Sequence, residues 1–371
     1  MKKRVLLLYI TNLSGHYKAA KAIKEAFIQS DPDIEVFSID ILKKFHPYAS
    51  VLINFIYSFI VRKIPFLWGN IYDKKTVISG LNPWKRFIHA CDFKKFSRLI
   101  EEIKPQAVIS TQAFPCGLSS HYKKVSRSPI LLTGVITDFW PNGFWFYDNI
   151  DYYILPYSGC KPRFLDSGIP EEKLKTFGIP IMPEFSGEIT EQEAKESLRF
   201  DKSLPLVLIM GGGSGLGPIE KIISGLDKSN LNFQIAAVCG KNKNLYRRLR
   251  KLPLKKRAEL FSYTNKIHKL MSASDIIITK PGGITVSEAL NKKLAIIAIN
   301  PIPGQESNNL KVLLKEKAVL EARNPEEAVS LTEKLLRNRN KLKTLSENTL
   351  KFSTPGAALK TAGLIIENIN G

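Results

Sequence analysis

The amino-acid sequence predicts an α/β protein of two domains. Its 371 residues exceed the ~250–300 at which a single hydrophobic core stops growing, so two domains are expected. Short apolar strands alternate with amphipathic helices, and in both halves a strand runs through a glycine-containing turn directly into a helix. This alternation predicts parallel sheets covered by helices, with ligands bound beyond the carboxyl ends of the strands.

The stretch from Asp275 to Leu290 is the clearest of these units. A β-branched strand leads through the turn Lys280–Gly283 into a helix that contains Glu288. The first N–H groups of such a helix lack internal partners and carry about half a positive charge, which favours an anionic ligand. Glycines let a pyrophosphate approach the backbone, and Glu288 could accept hydrogen bonds from ribose hydroxyls. We interpret this stretch as a nucleotide site, the alternative being an ordinary turn between strand and helix.

Two other loops of the second half also follow predicted strands. Gly211–Gly217 contains five glycines in seven residues. It matches neither the P-loop nor the dinucleotide fingerprint, but it permits a ligand to approach the backbone closely. Gln305, Glu306 and Asn309 follow a later strand, where they could bind sugar hydroxyls.

The first half begins with the same plan. Val5–Ile10 predicts a buried strand rather than a signal peptide, because the apolar run is short and no small-residue cleavage site follows it. Gly15 and His16 then precede Tyr17–Gln29, a predicted helix with an apolar face. His16 thus stands at the carboxyl end of a strand, where open α/β sheets bind ligands. A structural role and a catalytic role both remain open for this histidine.

A segment rich in apolar, aromatic and basic residues follows the next strand. Val51–Val61 is almost wholly apolar or aromatic and too short to span a bilayer. It is either a core helix or a helix lying in the membrane interface, with aromatic and basic side chains at head-group level. Downstream, the aromatic loop Asp138–Trp145 predicts an exposed binding lip. The residues predicted to contact membrane or acceptor are Phe55, Tyr57, Phe59, Lys63, Trp68 and Trp145.

The formal charge of +21 predicts attraction to polyanions such as nucleic acid, anionic lipid and nucleotide phosphates. Nine of the 17 residues in Lys241–Arg257 are basic, which suits a nucleic-acid face or a solvated basic helix. Tyr246 is the one aromatic residue interleaved there, so the solvated helix is favoured.

The four cysteines are far apart and form no CxxC pair. We therefore predict buried thiols, with neither a zinc site nor a disulfide framework.

Taken together, these motifs resemble those of one glycosyltransferase family. It comprises the monogalactosyldiacylglycerol synthases and the processive diacylglycerol glucosyltransferases, and it is related more distantly to the peptidoglycan N-acetylglucosaminyltransferase that acts on lipid-linked muramyl-pentapeptide. The resemblance covers nearly the whole chain. The motifs that carry it are Ser14-Gly15-His16 with Ala19-Ala20, Pro65–Trp68 with Tyr72, Thr137-Asp138-Phe139 with Trp145, Met210–Gly213, Leu270–Asp275, Lys280–Gly283 with Glu288, and Pro303–Glu306 with Asn309.

The resemblance implies a GT-B fold, in which two Rossmann-like domains face each other across an interdomain cleft. Residues 1–185 would form the acceptor- and membrane-binding domain, residues 186–354 would bind the UDP-sugar, and the helix 355–371 would cross back to the first domain. His16 or Asp138 would be the catalytic residue that serves the acceptor hydroxyl. The residues expected to bind the nucleotide sugar are Gly15, Gly212, Gly213, Ser214, Tyr263, Lys280, Gly282, Gly283, Thr285, Glu288, Gln305, Glu306 and Asn309.

By the same resemblance, the protein is expected to transfer a hexose from UDP-glucose or UDP-galactose to a membrane lipid, with diacylglycerol as the expected acceptor and with inversion. No metal and no other cofactor is expected. The enzyme would attach peripherally to the anionic cytoplasmic face of the membrane and would bind no nucleic acid. The alternatives are a UDP-N-acetylglucosamine-using transferase on another lipid-linked acceptor, a UDP-N-acetylglucosamine 2-epimerase, and a nucleic-acid-binding protein. The chain departs from the family at Gln112 and Asn142, where members usually carry histidine.

Overall fold

The chain folds into two compact units, each built on a six-stranded parallel sheet. The first unit spans residues 1–183, 303–305 and 354–371, and the second spans residues 184–302 and 306–353. This α/β architecture confirms the predicted fold class. The computed structural model describes residues 2–11, 15–48, 50–51, 90–187 and 189–370.

The strands of the first unit are β1 Arg4–Tyr9, β2 Glu35–Asp40, β3 Ala107–Ser110, β4 Leu131–Val135, β5 Tyr152–Ile154 and β6 Leu174–Lys175. They lie in the order β2-β1-β3-β4-β5-β6. Alternate residues of β1 face opposite layers, so that Leu6 and Leu8 join one hydrophobic core while Val5 and Leu7 join another. Because both faces of the sheet are covered, β1 is a continuous apolar run rather than an alternating one.

Among the described residues that precede the second unit, the helices include α1 Gly15–Ser30, α2 Ile41–Phe45, α3 with residues 90–103, α4 Ala113–Ser126 and α5 Lys161–Leu165. Ile23, Ala26 and Phe27 of α1 recur at helical spacing and are fully buried. They bury the apolar stripe of α1 in the core that also contains Val5 and Leu7. This packing fixes the carboxyl end of β1 and the start of α1 relative to the sheet.

The strands of the second unit are β7 Leu206–Met210, β8 Gln234–Val238, β9 Ala258–Phe261, β10 Ile276–Thr279, β11 Ala295–Ile299 and β12 Leu320–Ala322. Their order is β12-β11-β10-β7-β8-β9. When the strands are numbered within the unit and the sheet is read from β9 to β12, this is the order 3-2-1-4-5-6 of a Rossmann fold. In that fold, ligands bind outside the carboxyl ends of the strands where the order reverses. Here the reversal lies between β7 and β10.

The helices of the second unit are α6 Glu191–Ser197, α7 Ile219–Asp227, α8 Lys243–Leu249, α9 Ile267–Ser272, α10 Gly283–Asn291, α11 Gln305–Lys315, α12 Pro325–Arg337 and α13 Arg339–Asn348, with Gln305 at the start of α11 belonging to the first unit. Several begin at caps that the sequence encodes. Thr190 and Glu193 form a reciprocal capping box at α6. Asn324 caps α12, which starts with a proline at a position where no N–H is needed.

The last helix, α14 Ala357–Asn370, returns to the first unit. Its buried residues Ala358, Ala362 and Ile365 join the core that holds the apolar face of α1. Small side chains along this face let the two helices approach closely. The end of the chain thereby becomes part of the first hydrophobic core.

Three details differ from the sequence-based expectations. The run Lys241–Arg257 is not one basic helix: α8 ends at Leu249, and Pro253, which has no N–H, follows soon after. Cys91 is exposed, whereas Cys116, Cys160 and Cys239 are buried as predicted. The short strands β6, β9 and β12 were not predicted.

Among the described residues, no helix combines the length and the apolar character needed to cross a membrane.

Candidate active site

The candidate site of the first unit lies where the strand order of its sheet reverses. β1 pairs with β3, and β3 pairs with β4, so the loops after these three strands emerge side by side. His16 follows β1, Thr111 follows β3, and Thr137 and Asp138 follow β4. The topology therefore brings together polar side chains that are more than 90 residues apart, since the contact between His16 and Thr111 spans 95 residues.

The imidazole of His16 is held by two threonines. Its Nδ1 lies 2.8 Å from the carbonyl oxygen of Thr111 and 2.8 Å from Oγ1 of Thr137. The hydroxyl of Thr111 donates to the carbonyl oxygen of His16 at 2.9 Å. Both the main chain and the ring of His16 are thus fixed to the end of β3.

The electrostatics around His16 favour its neutral form. Burial lowers the pKa of His16 below its ordinary value of 6.5, while the nearby charge of Asp138 and the hydrogen bond to Thr111 oppose that shift. Asp138 itself is 7% exposed, and its Oδ2 accepts a hydrogen bond of 2.6 Å from Nε2 of Gln305, a residue that belongs to the first unit. A neutral imidazole beside a carboxylate can accept a proton at neutral pH.

The second unit has a candidate site of its own, at the reversal point of its sheet. Thr279 of β10 pairs with Met210 of β7, so the loops that follow these strands are neighbours. In the loop after β7, Gly212 has a φ of +68° and open space around it. The loop is tied to the loop after β8 because the N–H of Lys241 donates to the carbonyl oxygen of Gly213 at 2.9 Å. Gly240 permits this contact, since a Cβ there would lie 2.5 Å from the same carbonyl oxygen.

The turn after β10 leads directly into the N-terminus of α10. Gly282 is the N-cap residue and Gly283 the first helical residue, so neither brings a side chain of its own to the first N–H groups. Glu288 lies further along α10 and is 3% exposed. A helix start with main-chain N–H groups and the positive end of the helix dipole is suited to a phosphate group.

Residues after β11 support this turn. Glu306 Oε2 pairs with Lys280 Nζ at 3.1 Å and accepts the N–H of Ile302 at 2.7 Å. Asn309 is fully buried, and its Nδ2 donates to the carbonyl oxygen of Pro281 at 3.4 Å. In this structure Glu306 and Asn309 hold the turn in place, in addition to the sugar contacts predicted for them.

The remaining residues predicted to bind the nucleotide sugar are distributed over two loops and two helix starts. Gly15 is the first residue of α1, and Thr285 lies in the first turn of α10, partly buried. Gly213 and Ser214 are exposed in the loop after β7. Tyr263 is 66% exposed after β9, with Lys241 Nζ 5.9 Å from the centre of its ring.

The predicted exposed lip after β4 is wrong for Trp145. This side chain is 4% exposed and belongs to the core of the first unit. Its carbonyl oxygen accepts a hydrogen bond of 2.8 Å from the hydroxyl of Tyr153, and the short 3₁₀ turn Gly143–Trp145 carries the ring inward. The other residues predicted to contact membrane or acceptor lie outside the described residues: Phe55, Tyr57, Phe59, Lys63 and Trp68.

Both positions that depart from the family pattern serve as helix caps. Gln112 Oε1 accepts the N–H of Phe114 at 2.7 Å at the start of α4. Asn142 Oδ1 accepts the N–H of Phe144 at 3.0 Å at the start of the 3₁₀ turn. Each side-chain oxygen thus satisfies a main-chain donor that would otherwise lack a partner.

Sequence reasoning assigned no role to Thr111, and it quoted Thr137 only as part of a motif. The signal that identifies both is positional, because each is a polar residue directly beyond the carboxyl end of a predicted parallel strand. The contact of Gln305 with Asp138 had no comparable signal, because the two residues are 167 positions apart.

The fold is that of the GT-B glycosyltransferases, as comparison with solved structures shows. The structure of Acinetobacter baumannii MurG superimposes with a TM-score of 0.60 and covers 98% of this chain and 99% of its own, at 15% sequence identity. That identity is too low to carry more than the fold.

Sequence comparison identifies the family. Residues 16–181 match the family described as Monogalactosyldiacylglycerol (MGDG) synthase, and residues 206–364 match the Glycosyltransferase family 28 C-terminal domain. The processive diacylglycerol beta-glucosyltransferase of Bacillus cereus is 30% identical over 99% of this chain and 93% of its own length. Monogalactosyldiacylglycerol synthase 3 of Arabidopsis thaliana is 31% identical over 96% of this chain and 79% of its own. The chain therefore belongs to this family of glycolipid-forming glycosyltransferases.

Proposed function

We propose that the protein transfers a hexose from UDP-glucose or UDP-galactose to diacylglycerol, with inversion at the anomeric carbon. The observation that carries the proposal is the His16 ring, which is partly buried, close to the charge of Asp138 and lowered in pKa, at the carboxyl edge of a parallel sheet. Membership of a family whose named relatives act on diacylglycerol supports the choice of acceptor.

In the proposed reaction, His16 is the general base. The hydroxyl oxygen of diacylglycerol attacks the anomeric carbon while its proton passes to the imidazole. The bond between that carbon and the diphosphate breaks, and its electron pair leaves with UDP. A single displacement of this kind passes through an oxocarbenium-like transition state and inverts the anomeric centre. Asp138 stabilises the imidazolium that forms.

The second unit is proposed to bind the nucleotide. The diphosphate would lie at the N-terminus of α10, where the N–H groups beyond Gly282 and Gly283 meet the charge that grows on the leaving group. Glu288 would accept hydrogen bonds from the ribose hydroxyls. We propose that this helix end takes the place of a metal ion, and that Lys280 positions Glu306 next to it, as their 3.1 Å ion pair suggests.

We also propose that the protein attaches peripherally to the anionic cytoplasmic face of the membrane. The charge of +21 supports this, because each basic residue near such a surface adds about 1 kcal/mol of attraction. Cosedimentation with phosphatidylglycerol vesicles tests it on the triple variant with Phe55, Phe59 and Trp68 replaced by serine. Weaker binding of the variant is expected. Unchanged binding would contradict the proposal that the segment containing these three residues contacts the membrane.

The decisive assay offers UDP-glucose and UDP-galactose separately, with dioleoylglycerol in phosphatidylglycerol vesicles. We expect one donor to yield a hexosyl-diacylglycerol with a β linkage, which NMR of the purified lipid would identify, together with one UDP for each sugar transferred. UDP-N-acetylglucosamine without lipid is included as a third arm. No lipid product from either donor, or epimerisation in the third arm, would overturn the proposal.

A further inference from the structure

Two buried threonines contact His16 and fix its orientation. Thr111 is fully buried and Thr137 is 4% exposed. The carbonyl oxygen of Thr111 and Oγ1 of Thr137 each lie 2.8 Å from the same ring nitrogen, Nδ1. The hydroxyl of Thr111 is already engaged, because it donates to the carbonyl oxygen of His16 at 2.9 Å.

These contacts determine which nitrogen of the neutral ring carries the proton. A carbonyl oxygen can only accept a hydrogen bond, so its contact at 2.8 Å requires a hydrogen on Nδ1. The opposite tautomer would place the lone pair of Nδ1 against the lone pairs of that oxygen. A neutral imidazole has one N–H, and with the proton on Nδ1 the other nitrogen, Nε2, is the basic one.

We propose that Thr137 is a positioning residue that, together with the Thr111 carbonyl, holds His16 as the Nδ1–H tautomer and so directs Nε2 to the acceptor hydroxyl. The inference rests on the proposed function, in which His16 is the base. The Thr137 oxygen shares the Nδ1–H with the Thr111 carbonyl, and Asp138 supplies the charge near the ring. When Nε2 takes the proton of the acceptor, both oxygens also stabilise the imidazolium.

The kinetic test compares three substitutions. Thr137→Val removes the hydroxyl at nearly constant volume, and Thr137→Ser keeps it. Thr133→Val is the matched control, because Thr133 lies in β4, is 1% exposed, and its Oγ1 has no hydrogen-bond partner among the described residues. With UDP-glucose or UDP-galactose and dioleoylglycerol, we expect Thr137→Val to lower kcat about tenfold, the effect of one hydrogen bond, with KM for the nucleotide sugar unchanged. The other two variants should stay within about twofold.

The pH profile separates positioning from a general structural defect. Loss of an acceptor at Nδ1 destabilises the imidazolium, so the pKa of His16 should fall further in Thr137→Val. The acid limb of kcat/KM should accordingly move to lower pH in that variant, and it should not move in Thr133→Val or Thr137→Ser.

A spectroscopic test needs no activity. ¹⁵N NMR of the ring nitrogens, with the signals of His16 assigned by their loss in His16→Gln, should show the hydrogen on Nδ1 above the pKa of the ring in the wild-type protein. A hydrogen on Nε2, or kinetics of Thr137→Val that match those of Thr133→Val, would overturn the inference. If Thr137→Val does not fold, the wild-type NMR result still decides the tautomer. Full transfer by His16→Ala together with an Nδ1–H ring would instead refute the role of His16 as the base and leave the tautomer assignment standing.

Discussion

The two sheet-reversal points of this protein present different chemistry at the same topological position. In the first unit, the Thr111 carbonyl oxygen and the Thr137 hydroxyl lie at hydrogen-bond distance from the His16 ring, and the Thr111 hydroxyl donates to the carbonyl oxygen of His16. In the second unit, the corresponding point is occupied by glycines and by the start of α10, whose N-cap residue is itself a glycine. The first arrangement is suited to proton transfer, and the second is suited to binding an anion. Variants in the first should therefore reduce turnover, and variants in the second should reduce nucleotide affinity.

The largest effect is expected from His16→Ala. Loss of a general base costs about 10²–10⁴-fold in rate, so kcat/KM should fall by about a thousandfold. UDP affinity, measured by isothermal titration calorimetry, should be unaltered because the nucleotide is proposed to bind the second unit. If His16→Ala lost UDP binding as well as turnover, the proposed separation of catalysis and nucleotide binding between the two units would be wrong.

A smaller effect, on affinity, is expected from Glu288→Ala. Hydrogen bonds to a charged group contribute about 1.5–3 kcal/mol, so the Kd for UDP should rise on the order of 10–100-fold. A second measurement compares the affinities for UDP and 2′-deoxy-UDP. The wild-type protein should bind UDP more tightly than 2′-deoxy-UDP, and Glu288→Ala should not, because it lacks the carboxylate. Equal discrimination by wild type and variant would mean that Glu288 does not contact the ribose. A melting curve controls for folding, because this side chain is 3% exposed.

Gly282→Ala should raise the Kd for UDP by about tenfold. A Cβ at this position would meet Glu306 Oε1 at 3.5 Å, an ordinary contact, and its φ of −76° suits alanine, so the fold should accept the change. The loss would then come from the methyl group keeping the diphosphate away from the helix N-terminus. Gly363→Ala in α14, which also has free space, is the matched control and should bind UDP normally. Unchanged affinity in Gly282→Ala would show that the diphosphate does not bind at the N-terminus of α10.

The smallest effect concerns pH. Burial lowers the pKa of His16 below 6.5, so its neutral, basic form should predominate at pH 7. Protonation removes the base, and kcat/KM should therefore decline only as the pH falls below 6.5, with a plateau through neutral pH. An acid limb centred above pH 6.5 would contradict the environment described for His16.

Most of the fold could be predicted from the sequence, because its main strands are strong local signals. Val5–Tyr9 and Leu206–Met210 are continuous apolar runs, as strands buried on both faces require. The edge strands β6 and β9 were missed because β6 has two residues and β9 is partly exposed, so neither shows a clear periodicity. The basic run was predicted as one helix because its charge pattern was given more weight than Pro253.

The candidate site was predictable to a lesser extent. The position of His16 followed from the end of a strand, but its partners Thr111 and Thr137 depend on which strands are neighbours, and that is a property of the whole sheet. Trp145 was misassigned because composition cannot tell whether an aromatic ring faces the core or the solvent. The contact between Gln305 and Asp138 joins distant parts of the chain and is visible only in three dimensions.

The most direct test of the account is a crystal structure of the protein with UDP. The account predicts the diphosphate on the N–H groups that follow Gly282 and Gly283, with the ribose hydroxyls on the carboxylate of Glu288. A UDP molecule bound away from the start of α10, with Glu288 not in contact with it, would contradict the account.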